Sequence, residues 1–169
     1  MIDPRRWSLF SKFEVPNFDD PEQTYLIRYR ICQTPLFGIY LHRMDGPDSR
    51  PTLHDHPWNA WCFLLKGGYV EKRLRPKDMS VYVRLVKRVN HLGTYDAHAI
   101  LELMRVPTWT LVFSGRRVRT WGYWEPVNEP LGWEYAADPS TKMWAWTRHD
   151  QHFHQREFDK AMEVRARKK

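Results

Sequence analysis

Residues 54–56 read His-Asp-His and are followed by Pro57-Trp58 and the apolar run Trp61-Cys62-Phe63-Leu64-Leu65. Side chains alternate along an extended segment, so His54 and His56 point to the same side. Two co-facing imidazoles supply two-thirds of a three-histidine metal site. Imidazole nitrogens suit Fe, Zn, Ni or Cu. The two cysteines, Cys32 and Cys62, lie in apolar strand-like runs and form no Cys-x-x-Cys pair, which disfavours a thiolate zinc site and a disulfide framework. His42 stands at the end of an earlier strand-like run, with an ordinary pKa near 6.5 that suits acid–base work or a further nitrogen ligand. Asp55 faces away from its neighbours and is placed to orient an imidazole through its second nitrogen. Arg73, Arg75 and Arg84 carry planar donor forks that fit a carboxylate or phosphate. A second His-x-His, at His152 and His154, falls in a polar tail expected to be helical, where residues two apart do not share a face.

These residues need strands to hold them. The first 24 residues carry prolines at 4, 16 and 21 and read as an arm or short helix with an irregular lead-in. Strand patterns begin at Tyr25–Cys32 and continue through Phe37–Met44, Ala60–Lys66, Tyr69–Arg75, Val81–Val89, Ala97–Arg105, Trp109–Phe113 and Val118–Trp124. Ala60–Lys66 is apolar enough for a strand buried on both faces. Short strands at regular spacing with turn signals between them indicate an all-β sandwich or barrel. No helical crossovers separate the strands, which argues against a parallel α/β sheet. The resulting division is an N-terminal arm (1–24), a β-barrel (25–135) and a C-terminal extension (136–169), expected to be helical and packed by a narrow stripe of Phe153, Phe158, Ala161 and Met162.

The motifs resemble those of the cupin superfamily, over roughly residues 25–124. Its first motif has two histidines one residue apart, then a glutamate, then a glycine closing the strand; His54, His56 and Gly68 match. Its second motif places a third histidine after a glycine, and Gly93-Thr-Tyr-Asp-Ala-His98 fits. Pro57-Trp58 and Trp121-Gly122-Tyr123 are similar to segments of small, uncharacterised single-domain cupins. The resemblance implies a jelly-roll barrel and a metal shell of His54, His56 and His98. At the glutamate position stands Trp61, so the implied shell is three histidines with no carboxylate. Such a shell binds a divalent transition metal, iron first, with zinc, nickel or manganese as alternatives, and leaves positions open for water or substrate. Trp61, Phe63 and His42 are then expected to line the pocket, and Tyr95 to close over it. Glu102, four residues after His98, shares its face on a regular strand and is the candidate general base or replacement ligand; on a rim strand it would be solvated instead. Thiol dioxygenases are three-histidine cupins, some with cysteine at the glutamate position. Cys62 lies one residue past that position and is expected to point away from the metal, which argues against that chemistry.

Composition bounds the rest. The 169 residues are 42% hydrophobic and 15% aromatic, with nine Trp, enough for one domain with a sizeable core. No apolar run approaches the ~20 residues that span a bilayer, and the N-terminus lacks a signal-peptide pattern, so a cytoplasmic location and no membrane partner are expected. The net charge of +7 concentrates partly in Arg148–Lys169, with smaller groups at Arg84, Lys87, Arg88 and at Arg116, Arg117, Arg119. It could attract nucleic acid, but no recognition motif accompanies it. Two functional classes follow. One is a metal-dependent oxygenase or isomerase acting on a small polar molecule. The other is a non-catalytic cupin that binds a small ligand or partner and presents a basic surface. The resemblance also admits a homodimer.

Overall fold

Alternating apolar and polar side chains run through most of the chain, and the backbone answers with strands. The computed structural model describes residues 7–17, 20, 22–48, 52–75, 77–126 and 144–148. The first strands are β1 (Ser8–Pro16), β2 (Thr24–Gln33), β3 (Gly38–Met44), β4 (Leu53–His54), β5 (Ala60–Lys66) and β6 (Tyr69–Leu74). They are followed by β7 (Val81–Val86), β8 (Val89–Leu92), β9 (His98–Leu103), β10 (Thr108–Ser114), β11 (Gly122–Pro126) and β12 (Trp144–Arg148). Two six-stranded sheets result, one in the order β1-β2-β3-β10-β5-β8 and the other β12-β11-β4-β9-β6-β7. Every pairing is antiparallel.

The sheets pack face to face, because each offers an apolar stripe that must leave water. Met44, Leu26 and Leu64 of the first sheet meet Tyr69, Val86, Ile100 and Leu103 of the second. A second cluster, Tyr40, Ala60, Cys62, Leu92 and Val112, fills the inner face of the first sheet. A third, Leu53, Leu74, Ala97 and Ala99, lies against β4 and β9. Between β5 and β6, Gly67 adopts φ 84°, and a Cβ there would run into the Thr108 side chain. A glycine is required on both counts.

Several elements differ from the sequence expectation. Residues 8–16 form an edge strand paired along β2 rather than an arm or short helix. Pro16 sits at its end, where a missing N–H is tolerated. The expected C-terminal helix lies outside the described residues; within 136–169 the described part is β12, paired with β11. Strand β5 is buried on one face only. Ala60 and Cys62 point inward, while Trp61, Phe63 and Leu65 are exposed. The stretch expected as one strand over 81–89 breaks at Lys87-Arg88 into β7 and β8.

Candidate metal centre

His54 ends the two-residue strand β4. It pairs with His98 of β9 on one side and with Tyr123 of β11 on the other. Cross-strand partners share a face, so all three side chains project from one side of the sheet. His56 returns to that side two residues on. The ligand nitrogens of His54, His56 and His98 lie within 4.8 Å of one another. The ring centroids form a near-equilateral triangle of 5.3, 5.0 and 5.1 Å.

The outward-facing nitrogens decide what the inward ones can do. His98 Nδ1 lies 2.9 Å from Glu71 Oε2, so it carries the proton and donates to the carboxylate. His54 Nδ1 lies 3.3 Å from the Thr52 carbonyl and donates there. Both rings therefore keep a bare lone pair at Nε2. His56 Nε2 stands 2.9 Å from His98 Nε2. Two acceptor nitrogens this close need a shared cation, or a proton from His56. Holding the far nitrogen by a carboxylate or carbonyl is how proteins orient histidine ligands, so the residues fit a metal.

Glu71 is fully buried on β6. Besides His98 it accepts from Arg84 Nε at 2.7 Å and Asn90 Nδ2 at 3.0 Å. Arg73 Nε lies 3.7 Å away. Burial pushes its pKa up, but the hydrogen bond from His98, then the one from Arg84 and the charge of Arg73, outweigh burial and leave it below the usual carboxylate value. Burial lowers the His54 pKa, and the neighbouring His98 adds to this. His56 is held well below its ordinary value by burial, then by His98, His54, Arg28 and His42. Histidines kept neutral are competent ligands at neutral pH.

His42 lies on the inner face of β3, between Tyr40 and Met44. Its Nε2 accepts from Arg28 Nε at 3.1 Å. The other expected pocket residues are placed elsewhere. Trp61 is 51% exposed and packs at a tilt against His91, ring centroids 4.6 Å apart, and Phe63 meets Phe113 on the same outer face. Cys62 points inward, opposite to expectation, and burial pushes its thiol up to about 12. The strand phase of β5 is one residue off from the one expected, since the two small residues Ala60 and Cys62 take the crowded side. Glu102 is exposed. The β6–β9 register shifts between Val70 and Glu71, leaving Leu101 as an extra residue in β9. This bulge reverses the alternation after Ile100, so Leu103 takes the inward position and Glu102 turns out. Tyr95 is 68% exposed and rests on the Arg119 guanidinium at 4.9 Å.

Asp55 points away from the histidines, as expected, but orients no imidazole. It accepts from Arg119 Nη1 and Trp146 Nε1 at 2.9 Å, Gly122 N at 2.8 Å and Trp124 Nε1 at 3.1 Å. Arg73 and Arg84 serve Glu71 rather than a substrate, and Arg75 is exposed over Tyr82. His152 and His154 lie outside the described residues. Nothing in the sequence marks Glu71 as the partner of His98, and the structure also brings Trp121 and Tyr123 to the histidines. Trp121 and Tyr123 each pack against His54 at 6.4 Å. The Trp-Gly-Tyr string next to β11 was the available signal for both.

No protein-family model and no curated protein matches the sequence. Solved structures do. The chain is similar to oxalate decarboxylase from Bacillus subtilis at 10% identity and TM-score 0.46, covering 69% of this chain and 32% of that one. It is similar to an RmlC-like cupin from Shewanella frigidimarina at 11% identity and TM-score 0.44, covering 65% of this chain and 86% of that one. It is also similar to FeII HppE at 14% identity and TM-score 0.47, covering 67% and 65% respectively. The chain thus spans about a third of the length of the oxalate decarboxylase it matches.

Proposed function

We propose that this chain is a metal-dependent cupin enzyme in which His54, His56 and His98 hold a divalent transition metal beside a small polar substrate. The observation that carries the reading is the convergence of the His54 and His98 lone pairs, each fixed by a hydrogen bond at the opposite ring nitrogen. Three neutral nitrogens leave the metal its full charge and open positions, so it would act as a Lewis acid or bind oxygen, as an oxygenase or isomerase requires. Iron is the first candidate, and zinc, nickel and manganese suit the same donors. The chain's own residues do the rest. Glu71 keeps the His98 proton on Nδ1. Trp121 and Tyr123 wall the His54 side.

Metal analysis tests this reading. The purified protein, reconstituted with each of the four metals, should take up about one equivalent of at least one of them, and His54→Ala and His98→Ala should each lose it. Uptake below about 0.1 equivalents by the wild type, or equal uptake by the variants, sinks it.

A further inference from the structure

Ala60 and Cys62 of β5 point between the sheets, so Trp61 and Phe63 point outward. Cross-strand partners share a face, and the pairing register carries this outer face across the whole first sheet. One row of side chains runs His91, Trp61, Phe113, Ile39, Cys32, Leu9 and touches all six strands. The next starts at Val89 and Phe63, passes through Leu111 to Tyr29, and is apolar or aromatic until Lys12 on β1. Trp61 is 51% exposed, Leu9 63%, Val89 47% and Phe113 40%. The chain as a whole is 28% charged, yet Lys12 is the one formal charge in the two rows.

Size and charge say what covers such a face. Six strands about 4.8 Å apart, with rows about 7 Å apart and Trp109 and Leu65 beyond the second, span roughly 600 Å² in projection. A monomer rarely leaves a contiguous apolar patch of that size to water. With a polar rim it reaches the ~800 Å² per partner that a stable interface buries. The rim charges are already paired within the chain. Lys12 Nζ lies 2.7 Å from Glu14 Oε1, and Arg43 Nε lies 3.0 Å from Asp45 Oδ1. Lys12, Glu14 and Arg43 share the outer face through their partners Tyr29, Ile27 and Trp109. These charges cancel locally, so two copies can meet here without like-charge repulsion despite a net charge of +7. A strongly charged partner has little on this face to pair with. Two apolar sheet faces pack on one another about 10 Å apart, and a twofold axis lets one patch serve as both halves of the interface.

We propose that the outer face of the first sheet packs against the same face of a second copy, with Trp61 and Phe113 near the twofold axis, so that the protein is a back-to-back dimer. His54 and His98 belong to the second sheet, so the dimer and the metal reading stand or fall separately.

Sedimentation velocity of the full-length, metal-free chain from about 1 to 100 µM tests this. The wild type should sediment at twice the mass of one chain, with a dissociation constant of about 10 µM or tighter. Its Tm should rise with protein concentration, because association stabilises only the folded state. Trp61→Lys and Phe113→Lys each put a charge from both copies into the centre of the patch and should weaken the dimer about a hundred-fold or more. Trp61→Ser should weaken it about ten-fold without adding charge. Val83, on β7 of the second sheet, is 59% exposed, and Val83→Lys should leave the dimer unchanged. Far-UV dichroism and a cooperative melt check that each variant is folded, and the exposure of Trp61 and Phe113 means that neither change opens the core. The proposal is overturned if the wild type stays monomeric through the whole range, if both lysine variants of the patch dimerise like the wild type, or if Val83→Lys alone dissociates the dimer. A monomer that pellets with phosphatidylcholine vesicles would give the face to a lipid surface and overturn it as well.

Discussion

Glu71 joins the buried charges of this fold to its candidate metal site. Its carboxylate spends one oxygen on Arg84 and shares the other between His98 and Asn90. Exchanging it for glutamine keeps an acceptor for the His98 Nδ1 proton but removes the charge that strengthens the bond. Glu71→Gln is therefore expected to bind metal about 10- to 100-fold more weakly, measured by chelator competition, with stoichiometry intact. An unchanged affinity would mean that the carboxylate serves only Arg73 and Arg84. The His54–His56 pair was legible in the sequence, since a spacing of two fixes the shared face whatever the fold does around it. Glu71 was not. Its meeting with His98 depends on the Arg73↔His98 register between β6 and β9, which no local pattern encodes.

At the scale of elements, strand existence followed from alternation and turn residues, but strand phase did not. In β5 every residue from Ala60 to Leu65 is apolar, so composition offers no inner and outer side to choose between. Packing chose, and it put Ala60 and Cys62 against Tyr40 and Val112, with Trp61 and Phe63 outside. In β9 one extra residue, Leu101, was enough to turn Glu102 outward. Phase matters equally at Asp55, which ties β11 and β12 to the segment carrying both histidines. Four donors from Arg119, Gly122, Trp124 and Trp146 converge on it. In Asp55→Asn the amide turns a donor toward other donors and leaves Arg119 without its counter-charge. The expected cost is about 3–5 kcal/mol in chemical denaturation. Faster hydrogen exchange should be confined first to β11 and β12, and metal affinity should fall as the His54 and His56 backbone loosens. A variant with wild-type stability would show that the β-strand pairing alone holds this corner.

Across the whole molecule, the space between the sheets is divided between apolar clusters and inward-facing charged and imidazole side chains. That division ties stability to pH. His42 and His56 are held well below their ordinary pKa by burial, and His54 is lowered for the same reason. In the unfolded chain all three titrate near 6.5. As pH falls below that value the unfolded state takes up protons that the native state refuses, so each group withdraws stability. Above about pH 7.5 both states leave these rings almost wholly neutral, and the three contribute little slope. By pH 5.5 a histidine that stays neutral in the fold costs about 1.4 kcal/mol, and His42 and His56 together about twice that. The metal-free protein should therefore show a steady Tm from pH 8.5 to 7.5 and a falling one from pH 7 to 5.5. His42→Gln should reduce the slope by one group's share without touching the three ligands. Bound metal should raise Tm at pH 7.5, because it binds only the folded state, and the increment should shrink as protons compete for the same nitrogens. A Tm that stays level down to pH 5.5 would mean that these rings protonate in place, and neutral imidazoles at the core of the fold would have to be given up.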